Sequence, residues 1–345
     1  ASEGGCQGKQ KPGSVLDYSD DPRFLAVYYG MPEWIVRLWL EACGPEAAEA
    51  YLAASALAAP VGVRLNPLAP GYTSLLNEML QEEDAQLVPP AAVALLGGAR
   101  RPVRFAQRGG RLSRQSAASY QALWQLDPKG WEQPIWDACA GRGGKTLALL
   151  EQGIPVALLS DSSKARLKGF EPDFNRLFAG DGNEREVSGK FGTADGKRAA
   201  VGSETSGTVA WDAPARVAAP SSAVVASVNG GSAIPSRPEL FFGPAEKALD
   251  GRLFGTIILD VPCSGLGTLA HRPEIRWRRS PKDLERLCAS QQALLENALR
   301  ALKKGGRIVY LTCTVNPAEN ENRIKSFLEA HQDFKLEKSW HTPPD

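Results

Sequence analysis

Pro134-Ile135-Trp136-Asp137-Ala138-Cys139-Ala140-Gly141-Arg142-Gly143-Gly144-Lys145-Thr146 passes from a short apolar run, through small residues, into a helical pattern. Pro134–Asp137 reads as a strand and Thr146–Gln152 as a helix that Gly153 stops. Working outward, Pro155–Ser160 is an apolar strand ending at Asp161, and Lys164–Phe178 is a helix. Further on come strand Thr256–Leu259, helix Asp283–Leu302 and strand Arg307–Leu311. Apolar strands alternating with helices predict a parallel, doubly wound α/β sheet from residue 131 to 345.

Between these elements, 18 of the 41 residues 180–220 are Gly, Ala or Ser. This composition predicts a flexible low-complexity insertion, with Ser222–Ser227 as the strand that resumes the sheet. Residues 21–130 read as a smaller N-terminal α+β region. Trp34, Ile35, Leu38 and Trp39 fall at helical spacing, and Gly44-Pro45 ends one helix and starts another. Val61–Leu65 alternates like a strand, and Thr73 is a candidate cap for a helix through Met79. Residues 1–20 are polar and Gly-rich, a loose tail.

Apolar residues at 43% and charged residues at 23% exclude a wholly disordered or collagen-like chain. No apolar run reaches the roughly 18 residues of a membrane span, so no membrane role is expected. The first twenty residues hold Lys9, Lys11, Asp17 and Asp20 and no apolar run, so no signal peptide is expected either. Six cysteines are too few for a disulfide scaffold in 345 residues, which predicts a cytoplasmic protein with free thiols. His271, His331 and His341 show no ligand spacing, and no metal site is expected.

The net charge of +1 hides an asymmetry. Residues 1–90 carry 5 Lys and Arg against 12 Asp and Glu, and the remainder 35 against 27. Six arginines and no acid fall between residues 100 and 114: Arg100, Arg101, Arg104, Arg108, Arg111 and Arg114. Guanidinium forks match phosphate oxygens, so a polyanion is the expected partner, a solvated loop being the plainer alternative.

In open α/β sheets ligands bind beyond the carboxyl ends of the strands. After the first strand, Ala138, Cys139, Ala140, Gly141, Gly143, Gly144 and Lys145 let backbone approach a ligand, and the helix start offers free N–H groups. A triphosphate-binding loop would need Gly six residues before the Lys, where Cys139 stands, so a nucleoside cofactor fits better. Asp161, at the end of the second strand, can accept from ribose hydroxyls or cap the following helix. The fourth strand ends in Asp260-Val261-Pro262-Cys263-Ser264, and the fifth in Thr312-Cys313-Thr314. Both therefore bring a Cys to the same rim. Cys6, Cys43, Cys139 and Cys288 read as ordinary small residues.

On Asp137–Thr146, Asp260–Trp277 and Tyr310–Asn322 the chain resembles the Sun-type family of RNA cytosine-C5 methyltransferases, the RsmB/RsmF kind. The likeness extends more weakly to Met31–Asn66 and Arg114–Asp127. It implies a Rossmann-like fold for that domain, S-adenosylmethionine as cofactor and RNA as partner, with small-subunit rRNA first and tRNA second, acted on by a monomer. It also implies covalent catalysis, because cytosine C5 is a poor nucleophile until a thiolate adds at C6. By this resemblance Cys313 is the nucleophile and Cys263 helps the adduct break down. Asp260 engages the cytosine edge and borders the cofactor. Lys145 sits near the base and favours the thiolate. Asp161 holds the ribose, and the backbone of residues 138–144 cradles the methionine end. Arg104, Arg108, Arg111, Arg272, Arg276 and Trp277 are the expected RNA contacts, with Arg278 and Arg279 beside them.

The chain departs from the family in several places. The usual Ala-Pro-Gly-Gly loop reads Gly141-Arg142-Gly143-Gly144. The acid expected after the third strand has only Ser227 and Asn229 as polar candidates. The Gln-Asp pair expected upstream reads Arg114-Gln115-Ser116. The antiparallel hairpin that closes the family's sheet is expected to be missing, which would leave an exposed edge. With no initiator Met and an end at Pro343-Pro344-Asp345, the chain reads as a fragment. Two other functions stay open: a DNA cytosine methyltransferase, which would use the Pro-Cys thiol as nucleophile, and a non-catalytic RNA-binding or assembly factor.

Overall fold

The computed structural model describes residues 21–82, 84–95, 109–179, 234–247 and 251–341. The tail, the 180–220 insertion, Ser222–Ser227, Asn229, Arg104 and Arg108 lie outside the described residues.

The chain opens with helices α1 (Pro22–Tyr28) and α2 (Glu33–Ala56). Asp21 caps α1 by accepting from the N–H groups of Arg23 and Phe24. Gly44-Pro45 breaks α2 as the sequence predicts, with Gly44 at φ 79°. Strand β1 (Val61–Leu65) follows, then α3 (Tyr72–Met79), β2 (Ala85–Val88), β3 (Ala92–Leu95), β4 (Leu112–Arg114) and α4 (Ala117–Trp124). Thr73 does not cap α3; Gly71 precedes the helix in a left-handed conformation, and Thr73 lies inside the first turn. The four strands form an antiparallel sheet ordered β2-β3-β1-β4, with Val63, Leu65, Leu75, Met79, Val93 and Leu112 as its small core.

The second sheet is built from β5 (Ile135–Asp137), β6 (Leu158–Asp161), β7 (Glu239–Phe242), β8 (Phe254–Asp260) and β9 (Leu302–Leu311), in the order β7-β6-β5-β8-β9. Every pairing is parallel. Successive strand residues point to opposite faces. Ile135, Leu159, Ile258 and Val309 accordingly enter one apolar cluster, while Trp136, Leu158, Ile257 and Leu259 enter another. A parallel sheet buried on both faces follows. Helix α5 (Gly144–Glu151) covers the first face. Helices α9 (Pro281–Leu299) and α10 (Glu321–Ala330) cover the second.

Two sequence expectations change in detail. The long helix from Lys164 is three pieces: α6 (Lys164–Leu167), α7 (Phe170–Phe174) and a π turn, Asn175–Ala179. The strand that pairs with β6 is Glu239–Phe242, which the sequence reading missed. A short helix, α8 (Ile275–Arg278), lies between β8 and α9. The N-terminal helices pack on this region: Leu25, Ile35, Val36, Trp39 and Leu52 share a core with Leu266, Leu269 and Ile275.

Candidate functional site

The carboxyl ends of β5, β6, β8 and β9 meet at one rim. Asp137 ends β5 fully buried and accepts a 2.7 Å hydrogen bond from Thr146 Oγ1. Its second oxygen has no partner among the described residues. Burial pushes this carboxyl up to about 7, with the Thr146 bond opposing. Beyond it, Gly141 and Gly143 take left-handed φ values of 59° and 76°. Gly143 caps α5, and a Cβ there would fall 2.4 Å from Phe170. Only glycine fits that turn.

Asp161 ends β6 and is almost fully buried. One carboxylate oxygen accepts from Ser163 N at 2.7 Å and pairs with Arg166 at 3.0 Å. The other accepts from Gly141 N at 2.8 Å. A carboxylate offers about four acceptor positions. Among the described residues one is left without a partner, beside the glycine loop, where a hydroxyl such as a ribose presents could donate. Asp161 thus both fastens the loop and keeps an acceptor.

Lys145, in the first turn of α5, reaches across to Asp260 at the end of β8, with Nζ 2.5 Å from Oδ2. Burial works against the lysine charge, but Asp260 and Asp137 outweigh it and hold the ammonium's pKa above its ordinary value. Cys263 Sγ lies 3.1 Å from Cys313 Sγ and accepts from Cys313 N at 3.2 Å. Cys263 is buried and Cys313 exposed. The hydrogen bond from Cys263 and the nearby Lys145 ammonium draw the Cys313 thiol down. The same contact and burial push the Cys263 thiol well up. Cys313 is therefore the more acidic thiol of the pair, with Cys263, the less acidic one, touching it. Burial also pushes Cys139 up, which leaves it an inert thiol.

The two cysteine turns are locked together. Gly267 N donates to Cys313 O at 3.0 Å, and a Cβ on Gly267 would crowd that carbonyl at 3.1 Å. Arg279 donates to Ser264 O at 3.0 Å and Cys263 O at 3.4 Å, and Gln291 to Pro262 O at 3.0 Å. Buried Glu319 accepts from both turns. No sequence motif had singled out Gln291 or Glu319. Their signal is only three-dimensional, because helix α9 and a turn past Cys313 converge there.

The expected RNA contacts divide. Trp277 is 70% exposed, and Arg272 is exposed in a 3.3 Å pair with Glu274. Arg276 instead donates to Gly30 O and Ser55 O, both at 3.2 Å, and so fastens α8 to the N-terminal helices. Arg111 is half-buried. Among the described residues no helix is long and apolar enough to cross a membrane, and no three His, Cys, Asp or Glu side chains gather to hold a metal.

Residues 243–344 match the family model described as 16S rRNA methyltransferase RsmB/F. The chain is 27% identical, over 93% of its length, to a probable ribosomal RNA small subunit methyltransferase B of Bacillus subtilis. It is 29% identical, over 92% of its length, to the corresponding protein of Synechocystis. The matches cover 61% of each relative, so the chain spans about three fifths of the curated relatives it matches. Among solved structures, a methyltransferase homologue from Pyrococcus horikoshii aligns with TM-score 0.62 at 21% identity, covering 90% of this chain and 82% of that one. The crystal structure of NSun6 from the same organism with SFG aligns with TM-score 0.61 at 17% identity, covering 87% of each. These likenesses bear out the Sun-type resemblance and the Rossmann-like methyltransferase fold.

Proposed function

We propose that this chain, Sun-type in sequence and carrying an RsmB/F methyltransferase domain, is an S-adenosylmethionine-dependent RNA methyltransferase that forms 5-methylcytosine in small-subunit rRNA. The observation that carries the reading is the pair of thiols 3.1 Å apart beside the Lys145–Asp260 ion pair. A binding protein has no need of that arrangement.

S-adenosylmethionine, when bound, supplies the methyl group; SFG, bound to the NSun6 neighbour, is an analogue of it. The open acceptor on Asp161 suits the ribose, and the Ala138–Gly144 backbone suits the methionine end. The Cys313 thiolate adds to C6 of a flipped-out cytosine and makes C5 nucleophilic. Asp260 meets the base edge, and Lys145 keeps Asp260 in place while supporting the thiolate. After methylation a solvent water takes the C5 proton, the C5–H electrons re-form the C5–C6 double bond, and the C–S pair returns to sulfur. Cys263, protonated and in contact with Cys313 Sγ, hands its proton to the departing thiolate. Residues 21–130, with Trp277 and Arg272 beside them, present the RNA.

Incubating wild type, Cys263→Ser and Cys313→Ser with rRNA and S-adenosylmethionine tests this on a denaturing gel. An RNase-sensitive slow band for Cys263→Ser alone is the expected result. A band for Cys313→Ser alone would exchange the two roles. Full methyl transfer by Cys313→Ser would sink the mechanism. Binding without turnover by the wild type would favour an assembly factor, and a faster reaction on tRNA would move the substrate.

A further inference from the structure

Glu319 ends the 3-10 turn Pro317–Glu319 and has no exposed surface. Among the described residues no Lys, Arg or His forms an ion pair with it. A buried carboxylate without a counter-charge is costly unless its acceptor positions are filled. Here all are filled. Oε1 accepts from Ser264 N at 2.8 Å and Gln291 Nε2 at 3.0 Å. Oε2 accepts from Ser264 Oγ at 2.6 Å and Asn316 Nδ2 at 3.2 Å. Ser264 follows Cys263 directly, and Asn316 stands three residues past Cys313. One side chain therefore grips the turn that carries each thiol, and through Gln291 it also grips the carbonyl of Pro262.

A neutral acceptor could satisfy Ser264 N–H alone. Nor does the charge activate the nucleophile, because the field of Glu319 opposes thiolate formation at both cysteines. What the carboxylate offers beyond either is two doubly accepting oxygens spanning two turns. We propose that Glu319 is the positioning residue for the thiol pair: its carboxylate ties the Cys263 turn to the Cys313 loop and so holds the two sulfurs in contact. This rests on the reading of Cys263 and Cys313 as a reactive pair, and deepens it.

Glu319→Gln is the informative change. The amide keeps the shape but has one accepting oxygen, so its NH₂ must face either the Asn316 amide N–H or the Ser264 N–H and Gln291 amide, while the Ser264 hydroxyl can turn to Thr314 Oγ1 at 2.8 Å and accept. Asn316 cannot turn to compensate, because its Oδ1 already accepts from Ala318 N at 3.1 Å. Phenylarsine oxide is a probe of thiol spacing that needs no methyltransferase activity. One arsenic forms two As–S bonds, and the arsenical oxygen leaves as water with both thiol protons. Its binding would be followed by mass spectrometry of Cys263 and Cys313 peptides protected from alkylation, alongside thermal melting, S-adenosylmethionine affinity and the gel-stable RNA adduct.

The wild type should bind one arsenical across the two cysteines. Glu319→Gln should bind it about tenfold more weakly, as loss of one buried acceptor predicts. Its cofactor affinity should be unchanged, and RNA adduct should accumulate as release slows. Wild-type arsenical affinity in a folded Glu319→Gln would overturn the proposal, as would a wild type that binds no arsenical at this pair. Should Glu319→Gln fail to fold, Ser264→Ala removes one donor alone: a smaller loss of arsenical affinity supports the clamp and an unchanged affinity overturns it. Arsenical loss in Glu319→Gln alongside a wild type inert on RNA would leave the positioning role standing and remove the proposed reaction.

Discussion

Arg64 and Glu151 form a bidentate ion pair with both side chains sealed from water, Nε to Oε2 at 2.5 Å and Nη2 to Oε1 at 3.1 Å. Arg64 belongs to β1 of the antiparallel sheet, and Glu151 to α5 behind the parallel sheet. The same guanidinium donates to Gly144 O at 2.9 Å and to Gln115. Gly144 immediately precedes Lys145. The N-terminal sheet is thus bonded to the first turn of the helix that aims the lysine.

Removing one partner of a buried pair strands the other charge, at a cost of about 3–5 kcal/mol. Arg64→Met should therefore lower the urea midpoint strongly. Arg64→Met with Glu151→Leu should recover most of the loss, because well-packed apolar replacements of a buried pair are often neutral. Losses in Arg64→Met and Glu151→Leu that simply add in the double variant would show that the pair carries no coupling.

Lys145 and Cys313 give a second expectation. The lysine draws the thiol down and also masks Asp260, whose own charge pushes the thiol up. Lys145→Met removes the first effect and exposes the second, so both changes raise the Cys313 pKa. The pH midpoint for alkylation of Cys313 should move upward, and the alkylation rate at any pH below both midpoints should fall about tenfold per unit of that move. An unmoved midpoint would rule out any influence of Lys145 on the nucleophile.

Asp137 sets a pH dependence of stability. Its folded pKa, about 7, lies above the ordinary carboxylate value of 3.8. Between those values the folded state holds a proton that the unfolded chain has lost. This contribution is present in full below pH 4 and disappears as pH rises toward and through 7, at about 1.4 kcal/mol per unit of difference. Asp137→Asn mimics the protonated form and should flatten that part of the stability curve. Denaturant unfolding at pH 5 and pH 8 would test it, and an equal slope in both proteins would place the titration elsewhere.

The parallel sheet was legible because β5, β6, β8 and β9 are apolar on both faces, which is how buried parallel strands read. Strand β7 was not. Glu239-Leu240-Phe241-Phe242 is short, begins with an exposed acid, and lies next to Pro235 and Pro238, so turn signals hide it. The helical period from Lys164 breaks into pieces because Gly169 and Pro172 interrupt it. In the site, Lys145, Asp260, Cys263 and Cys313 were visible as rim residues at strand ends, and they do converge. Glu319 and Arg64 lie inside stretches that carry the resemblance, yet they and Gln291 do not stand out there, because apart from the Asn316–Glu319 bond their partners are 28 to 87 residues away. Nothing local marks a polar side chain as buried.

Trp277 and Arg276 are adjacent in sequence yet face different tasks. Arg276 is engaged by Gly30 O and Ser55 O, so Arg276→Ala should loosen the N-terminal helices and lower stability. Trp277 is 70% exposed at the edge of the same short helix. An exposed aromatic removed from a surface changes stability by no more than about 0.5 kcal/mol. If it stacks on a base flanking the target, its loss should weaken RNA binding by about 1–3 kcal/mol. Trp277→Ala should therefore melt like the wild type while binding rRNA fragments roughly tenfold or more weakly, with unchanged affinity for S-adenosylmethionine. Fluorescence titration of both variants separates the two residues. Equal RNA affinity in Trp277→Ala and wild type would exclude the stacking role and leave the ring as a bare surface aromatic.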